Sequence, residues 1–299
     1  MRIGVVFSQA DSGTDAGAIR AWAQRAEEAG FDHILAYDHV LGASIDRLGP
    51  GPFGPFPAPP YTSEHTFHEV LTLFSHLAAV TTRIGFVTSV LVLPQRQTAL
   101  VAKQIATVAL LSGGRLRVAV GAGWNRAEYE GLGADFASRR DRLEEQVVLL
   151  RRLWREPLVT FAGRFHHLDR VGINPLPARS IPIYLGTGAA DPVLRRVVRV
   201  ADGWMPLLIP GLDRIPVREG VRRLRELCEE ADRDPATLPI HGRVYLGDGW
   251  QGRVEEAVEL GFADLSIGFN RLAHPGRAHD EHLDAVIAAK PTVDTIVSR

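Results

Sequence analysis

Cysteine is almost absent from this sequence. Cys228 stands alone, so no internal disulfide can form. Its place in the amphipathic stretch "VRRLRELCEEA" reads as core rather than as a reactive thiol. Lysine is nearly as rare. Lys103 and Lys290 are the only two, and the other basic residues are arginine. Neither sign of charge dominates: 34 Lys+Arg against 35 Asp+Glu give a formal net charge of -1. That balance gives no reason to expect nucleic acid or a charged membrane surface as a partner. No apolar run approaches the roughly 20 residues of a membrane-spanning helix. The N-terminus enters "IGVVF" directly, without the basic region and cleavage site of a signal peptide. No Pro/Gly/Ser-rich linker splits the chain. These absences point to a cytoplasmic protein with one domain over 1–299, and there is ample chain for a large core.

What is present is a regular alternation of strand and helix. Eight short apolar runs recur: "IGVVF", "HILAY", "RIGFVTSVLVL", "RLRVAVG", "IPIYLG", "GWMPLLI", "IHGRVYLG" and "DLSIGF". Several are continuous rather than alternating, as expected of strands covered on both faces. Helices with one apolar stripe lie between them: Ile19, Trp22, Ala23 and Ala26; Leu143, Val147, Leu150 and Trp154; Val221, Leu224 and Cys228. "EEAGFDHI" and "VELGFADL" echo one another. In both, a helix ends at Gly (Gly30, Gly261), Phe follows (Phe31, Phe262), and the chain enters a strand, as in a left-handed helix stop with its hydrophobic contact. Eight βα units predict an α/β (β/α)8 TIM barrel, with an open doubly wound sheet as the alternative. A hairpin-like insert, 158–169, interrupts the pattern after the fourth unit.

A barrel places chemistry at the C-terminal ends of its strands. Those positions are Ser8 and Gln9, Asp38 and His39, Ser89 to Pro94, Gly121 to Asn125, Gly186 to Gly188, Gly247 and Gly268. Asp38–His39 is the most chemically capable pair among them. Two readings fit it: a reactive pair at the barrel mouth, or a hydrogen-bonded histidine beside a turn-capping aspartate. "GAGWNR" begins like a dinucleotide fingerprint, but Arg126 stands where the third glycine belongs. "HTFHE", with His65, His68 and Glu69, lacks the spacing of a zinc helix and reads as a helix start. His166 and His167 in the insert read as solvent-facing. With no metal motif and no nucleophile elbow, the chemistry is expected from an organic cofactor.

In "YLGTGAADPVLRR" a strand ends, Gly186, Thr187 and Gly188 turn, and Asp191–Pro192 reads as N-cap and N1 of a helix. Backbone N–H groups there suit a phosphate, and an ordinary strand-to-helix turn fits as well.

The stretches "AEEAGFDHILAYDHVL", "TSVLVLPQRQTALVAKQ", "LLSGGRL", "GAGWNRAEYEGLG", "RLEEQVVLLRRLW", "FHHLDRVGINPLP", "IPIYLGTG" and "VADGWMP" run in family order over most of 1–206. On these the chain resembles the bacterial-luciferase-like flavin and deazaflavin oxidoreductases, most closely the branch that uses coenzyme F420. The resemblance implies a barrel of that type, short insertions included, with a flavin-type ring across its mouth and hydride transfer to or from that ring. It implies His39 as acid/base, with Asp38 beside it as catalytic or cofactor-binding. Ser89 and Val90 match a pair often joined by a non-proline cis peptide that supports the ring. Gly186, Thr187 and Gly188 match the phosphate turn, and Trp124 and Asn125 match a segment lining the cofactor. Ala109 departs from relatives that carry Asp there.

The loop from Gly42 to Phe67 holds six prolines between Pro50 and Pro60. Its length marks it as functional or irregular. Phe53, Phe56 and Tyr61 are candidates for an apolar lid over substrate, and a rigid surface or subunit-contact segment is the other reading. The functional expectation is an F420-dependent oxidoreductase acting on a small organic molecule. Its alternatives are an FMN-dependent monooxygenase and a non-catalytic flavin-binding barrel. The relatives imply a homodimer, and a separate cofactor reductase is a further candidate partner.

Overall fold

The computed structural model describes residues 1–49, 53, 58–206, 215–269 and 279–299. Eight strands follow one another around a sheet: β1 (Arg2–Phe7), β2 (His33–Ala36), β3 (Gly85–Thr88), β5 (Leu116–Gly121), β8 (Ile183–Thr187), β9 (Gly203–Pro206), β10 (His241–Leu246) and β11 (Asp264–Phe269). The short β4 (Leu91–Val92) lies beside β5, and β6 (Val159–Ala162) pairs with β7 (His167–Val171) in the expected hairpin. All neighbours in the large sheet are parallel, and β1 lies between β11 and β2. A parallel bridge between Trp204 and Ile240 joins its two ends, so the sheet is nearly closed into a barrel. All eight predicted apolar runs supply its strands.

The helices lie outside because each has one apolar face to cover. Helix α1 (Ala16–Glu28) buries Ile19, Trp22, Ala23 and Ala26, the stripe read from the sequence. The other nine described helices are α2 (Ile45–Leu48), α3 (Val70–Val80), α4 (Thr98–Leu111), α5 (Arg126–Gly131), α6 (Arg139–Leu153), α7 (Asp191–Val200), α8 (Val217–Glu230), α9 (Trp250–Glu259) and α10 (His279–Val297). Cys228 is buried on α8, as expected of core. The echo between "EEAGFDHI" and "VELGFADL" is one helix stop used twice. Gly30 and Gly261 have φ of 78° and 73°. Phe31 N–H returns to the Ala26 carbonyl at 3.3 Å, and Phe262 N–H to that of Ala257 at 3.0 Å. The six-to-one bond closes the helix, and the buried phenyl ring that follows fixes the angle at which the next strand enters.

Inside the barrel, Val6, Leu35, Val87, Ala119, Tyr184 and Met205 make a small separate core, one residue from each of six strands. Below it the floor is polar. Asp264 receives Arg2 and Arg117, each at 2.7 Å. His33 and His241 both bond the Ser266 hydroxyl at 2.8 Å. Among the described residues no helix is long and apolar enough to cross a membrane.

Two expectations need correction. His166 is not solvent-facing. Its Nδ1 meets Glu145 at 2.7 Å and its Nε2 meets Thr98 Oγ1 at 2.6 Å, because the hairpin folds back onto α6 and the start of α4. Asp191 is not the N-cap of α7. Ala190 holds that position in an extended conformation, and Asp191, one residue further, turns its carboxylate to Arg223 and Arg195.

Candidate active site

Asp38 and His39 follow β2 directly, at the mouth of the barrel. Although adjacent, their side chains go to different partners. Asp38 is fully buried and serves the third unit. Its carboxylate accepts the Val92 N–H at 2.9 Å and Arg96 Nη2 at 2.7 Å. Arg96 continues to Glu69 at 3.0 Å, and Glu69 caps α3 by accepting the Thr72 N–H at 2.7 Å. A chain of charges therefore ties the end of β2 to β4, to the loop before α4 and to α3. Burial pushes the Asp38 carboxyl above its usual range, and Arg96 offsets this only in part.

His39 turns to α5. Its Nδ1 lies 3.2 Å from Glu128 Oε2. The other oxygen of Glu128 accepts the Val40 and Leu41 N–H groups. Tyr61 donates its hydroxyl to Glu128 at 3.1 Å, and Asn125 Nδ2 donates to that hydroxyl at 2.7 Å. Burial alone would raise the Glu128 carboxyl. The His39 contact and the two backbone donors outweigh it and hold the carboxyl below its ordinary range. Burial and the nearby Glu128 charge push the Tyr61 hydroxyl up, so it remains a donor. The His39 ring stacks on Tyr61 with centroids 3.7 Å apart, and Phe67 and Trp124 stand edge-on at 5.2 and 6.4 Å. The imidazole is held by an aromatic wall on its faces and by a carboxylate on one nitrogen.

The proline-rich loop supplies part of that wall. Tyr61 is 2% exposed and Phe53 7%, and both pack edge-on against Trp124. Tyr61 stacks on His39, and Phe53 reaches that cluster through Trp124. Phe56 lies outside the described residues. Trp124 is half-buried. Asn125 is buried and caps α5, its oxygen accepting the Ala127 and Glu128 N–H groups at 3.0 and 3.3 Å.

Across the mouth, Ser89 and Val90 follow β3 and are joined by a cis peptide. The Val90 side chain lies directly on the backbone of β5 and β8. A Cβ on Gly121 would sit 2.5 Å from Val90 Cγ2, and one on Gly186 would sit 2.0 Å from Cγ1. The two glycines are where they are because Val90 takes the room of their side chains. Beyond them Thr187 is fixed through its carbonyl, which accepts Trp204 Nε1 at 3.2 Å. Among the described residues nothing lies within 4 Å of a Cβ placed on Gly188. Helix α7 starts just after it with no side-chain cap.

Four residues of this site had no role from the sequence: Phe67, Arg96, Glu128 and Arg243. Arg243 Nη1 donates to Ser89 Oγ at 3.0 Å. For Glu128 a local signal exists. Asn125-x-x-Glu128 has the spacing of a capping box, in which a glutamate three residues after the cap turns back toward the chain before the helix. Here it reaches instead across to the end of β2. The "HTFHE" residues are dispersed. His65 Nδ1 accepts the Thr62 N–H at 3.0 Å, and His68 Nε2 meets the Gly13 carbonyl at 2.9 Å.

A parallel barrel with a carboxylate-oriented histidine and a glycine turn before a helix start at one end has the build of a cofactor-dependent enzyme. The model of the luciferase-like monooxygenase family matches residues 1–291, and the chain belongs to that family of oxidoreductases. An uncharacterized protein of Mycobacterium tuberculosis is 33% identical over 264 residues, 88% of either chain. An FMNH2-dependent dimethylsulfone monooxygenase of Pseudomonas fluorescens is 30% identical over 205 residues, 67% of this chain and 50% of its own. Among solved structures, an F420-dependent secondary alcohol dehydrogenase superimposes with a TM-score of 0.66 at 22% identity, covering 87% of this chain and 74% of that one. At that identity the likeness speaks for the fold.

Proposed function

We propose that this protein is an F420-dependent oxidoreductase that moves a hydride between the deazaflavin and a small organic substrate. The observation that carries this reading is the His39–Glu128 dyad. When bound, the ring gives or takes a hydride. Hydride exchange with a carbonyl also requires a proton, and the dyad is built to move one. A carboxylate can only accept, so Glu128 keeps the hydrogen of His39 on Nδ1 and leaves Nε2 as the atom that exchanges the proton. Tyr61, Phe67 and Trp124 hold the ring in place and keep water from its faces. Glu128 acts through His39 and is a positioning residue. Asp38 holds the strand end on which His39 stands.

The residues fit a phosphate-bearing ring cofactor. Val90 fills the room over Gly121 and Gly186, so those two glycines lock the strand ends together and the fit is carried by the turn that follows. The turn at Gly188, clear of the other described residues, and the start of α7, which no side chain caps, offer backbone donors to a phosphate. Gly186 to Gly188 would hold that phosphate, and Ser89, Val90 and Trp124 would line the ring. The neighbouring alcohol dehydrogenase depends on F420, whereas the dimethylsulfone monooxygenase depends on FMNH2. The latter supports a second reading, an FMN-dependent monooxygenase. The two differ in their need for oxygen. Anaerobic, carbonyl-dependent oxidation of reduced F420 is the expected result. Turnover that requires FMNH2 and consumes oxygen would overturn the F420 assignment.

A further inference from the structure

Arg243 has no part in the proton chemistry above, yet it is a charge inside the barrel. His241, Arg243 and Tyr245 alternate along β10 and share its inner face. His241 bonds Ser266 on the floor. Tyr245 meets the Tyr37 hydroxyl just past β2. Arg243, between them, reaches Ser89 Oγ at the end of β3. The residue is 7% exposed. Among the described residues two arginines, Arg117 and Arg243, face the interior, and their surroundings differ. Arg117 is neutralised by Asp264 at 2.7 Å. Among the described residues Arg243 has neutral neighbours, Ser89, Tyr37 and His241, and its Nε meets no hydrogen-bond partner. Among the described residues no carboxylate pairs with it. A buried cation without an anion is costly, so an anion brought against it would be held strongly.

We infer that Arg243 is the counter-ion for the negative charge that the cofactor ring acquires on reduction. The inference rests on the ring-cofactor reading of the mouth. The charge follows from electron count. A hydride brings two electrons and one proton, so the ring becomes one unit more negative unless a further proton follows. When the hydride leaves, that charge leaves with it. Arg243 approaches the mouth from below, at Ser89. The neighbouring Val90 seats on Gly121 and Gly186, next to the turn proposed for the phosphate. Arg243 thus meets the ring's place from the Ser89 end, while His39 and Glu128 meet it from the α5 side. Arg243 should favour the reduced form over the oxidised one and leave proton transfer to His39.

The test is the affinity of oxidised and of reduced F420, and of FMN, for the parent, Arg243→Met and Arg243→Lys. The expected result is that Arg243→Met loses at least tenfold more affinity for the reduced form than for the oxidised form. The midpoint potential of the bound two-electron couple then falls by about 30 mV. Arg243→Lys keeps most of the preference. Equal losses for both forms would overturn the inference and leave the functional reading standing. So would a change confined to the KM of an anionic substrate. A parent that binds neither cofactor in either form removes the functional reading and the inference together. If Arg243→Met does not fold, the parent suffices. Its bound reduced cofactor should show the anionic spectrum in mildly acidic buffer, where the free reduced ring is neutral, and a neutral spectrum would overturn the inference.

Discussion

At the scale of single residues, the site turns on what each side chain faces. His39 and Asp38 were legible as the end of a buried strand, and so was their place at the barrel mouth. Their division of labour was not. Sequence adjacency places two Cα atoms and says nothing about partners such as Arg96 and Glu128, which come from two other βα units. The difference is testable. His39→Ala should abolish turnover while cofactor still binds. Glu128→Gln keeps the shape and removes the charge, and should lower kcat by roughly 10²-fold with cofactor affinity unchanged. Unchanged kcat in Glu128→Gln would show that the contact does not position His39. Asp38→Ala should behave differently. It strips the carboxylate from a buried guanidinium and leaves the Val92 N–H without its acceptor. Removing one partner of a buried pair costs about 3–5 kcal/mol. The denaturant midpoint should drop accordingly, and a loss well under ~1 kcal/mol would contradict the structural role.

At the scale of elements, the helix stripes, the paired glycine stops and all eight strands could be read because period and turn chemistry are local. The sites that could not be read depend on close approach between elements. Gly186 stood out as a turn glycine, but its reason is Val90, a residue of the third unit far earlier in the chain. The start of α7 differs from the sequence expectation by one residue for a similar reason: Asp191 has partners on α8 and in the next turn of its own helix, and these compete with capping. His166 escapes a sequence reading because a hairpin's inner face is set by what it folds onto. Gly186→Ala should force Val90 off the β8 backbone, at a cost of about 1–3 kcal/mol in stability. Adding Val90→Ala should restore much of that stability. If Gly186→Ala alone is neutral in a urea melt, the packing described for the mouth is wrong.

At the scale of the whole molecule, mouth and floor of the barrel are both polar but serve different ends. The floor buries neutral histidines. Burial, and then the Arg117 charge, pushes His33 down to about 3. Burial and the neighbouring His33 put His241 well below its usual value. Burial brings His279, at the start of α10, to about 4. In the unfolded chain these groups titrate near ~6.5. Between there and about 3–4 the unfolded state binds protons that the folded state does not, so stability is complete above that window and falls as pH drops through it. The urea midpoint should therefore decline between roughly pH 6.5 and 5, above the range where ordinary carboxylates titrate. A flat profile there would contradict neutral burial of these rings.

The measurement that bears most directly on the proposed activity is a parallel titration of the purified protein with F420 and FMN, each oxidised and reduced, followed by fluorescence. The account predicts that F420 binds more tightly than FMN. Tighter binding of FMN, or binding of neither, would contradict it.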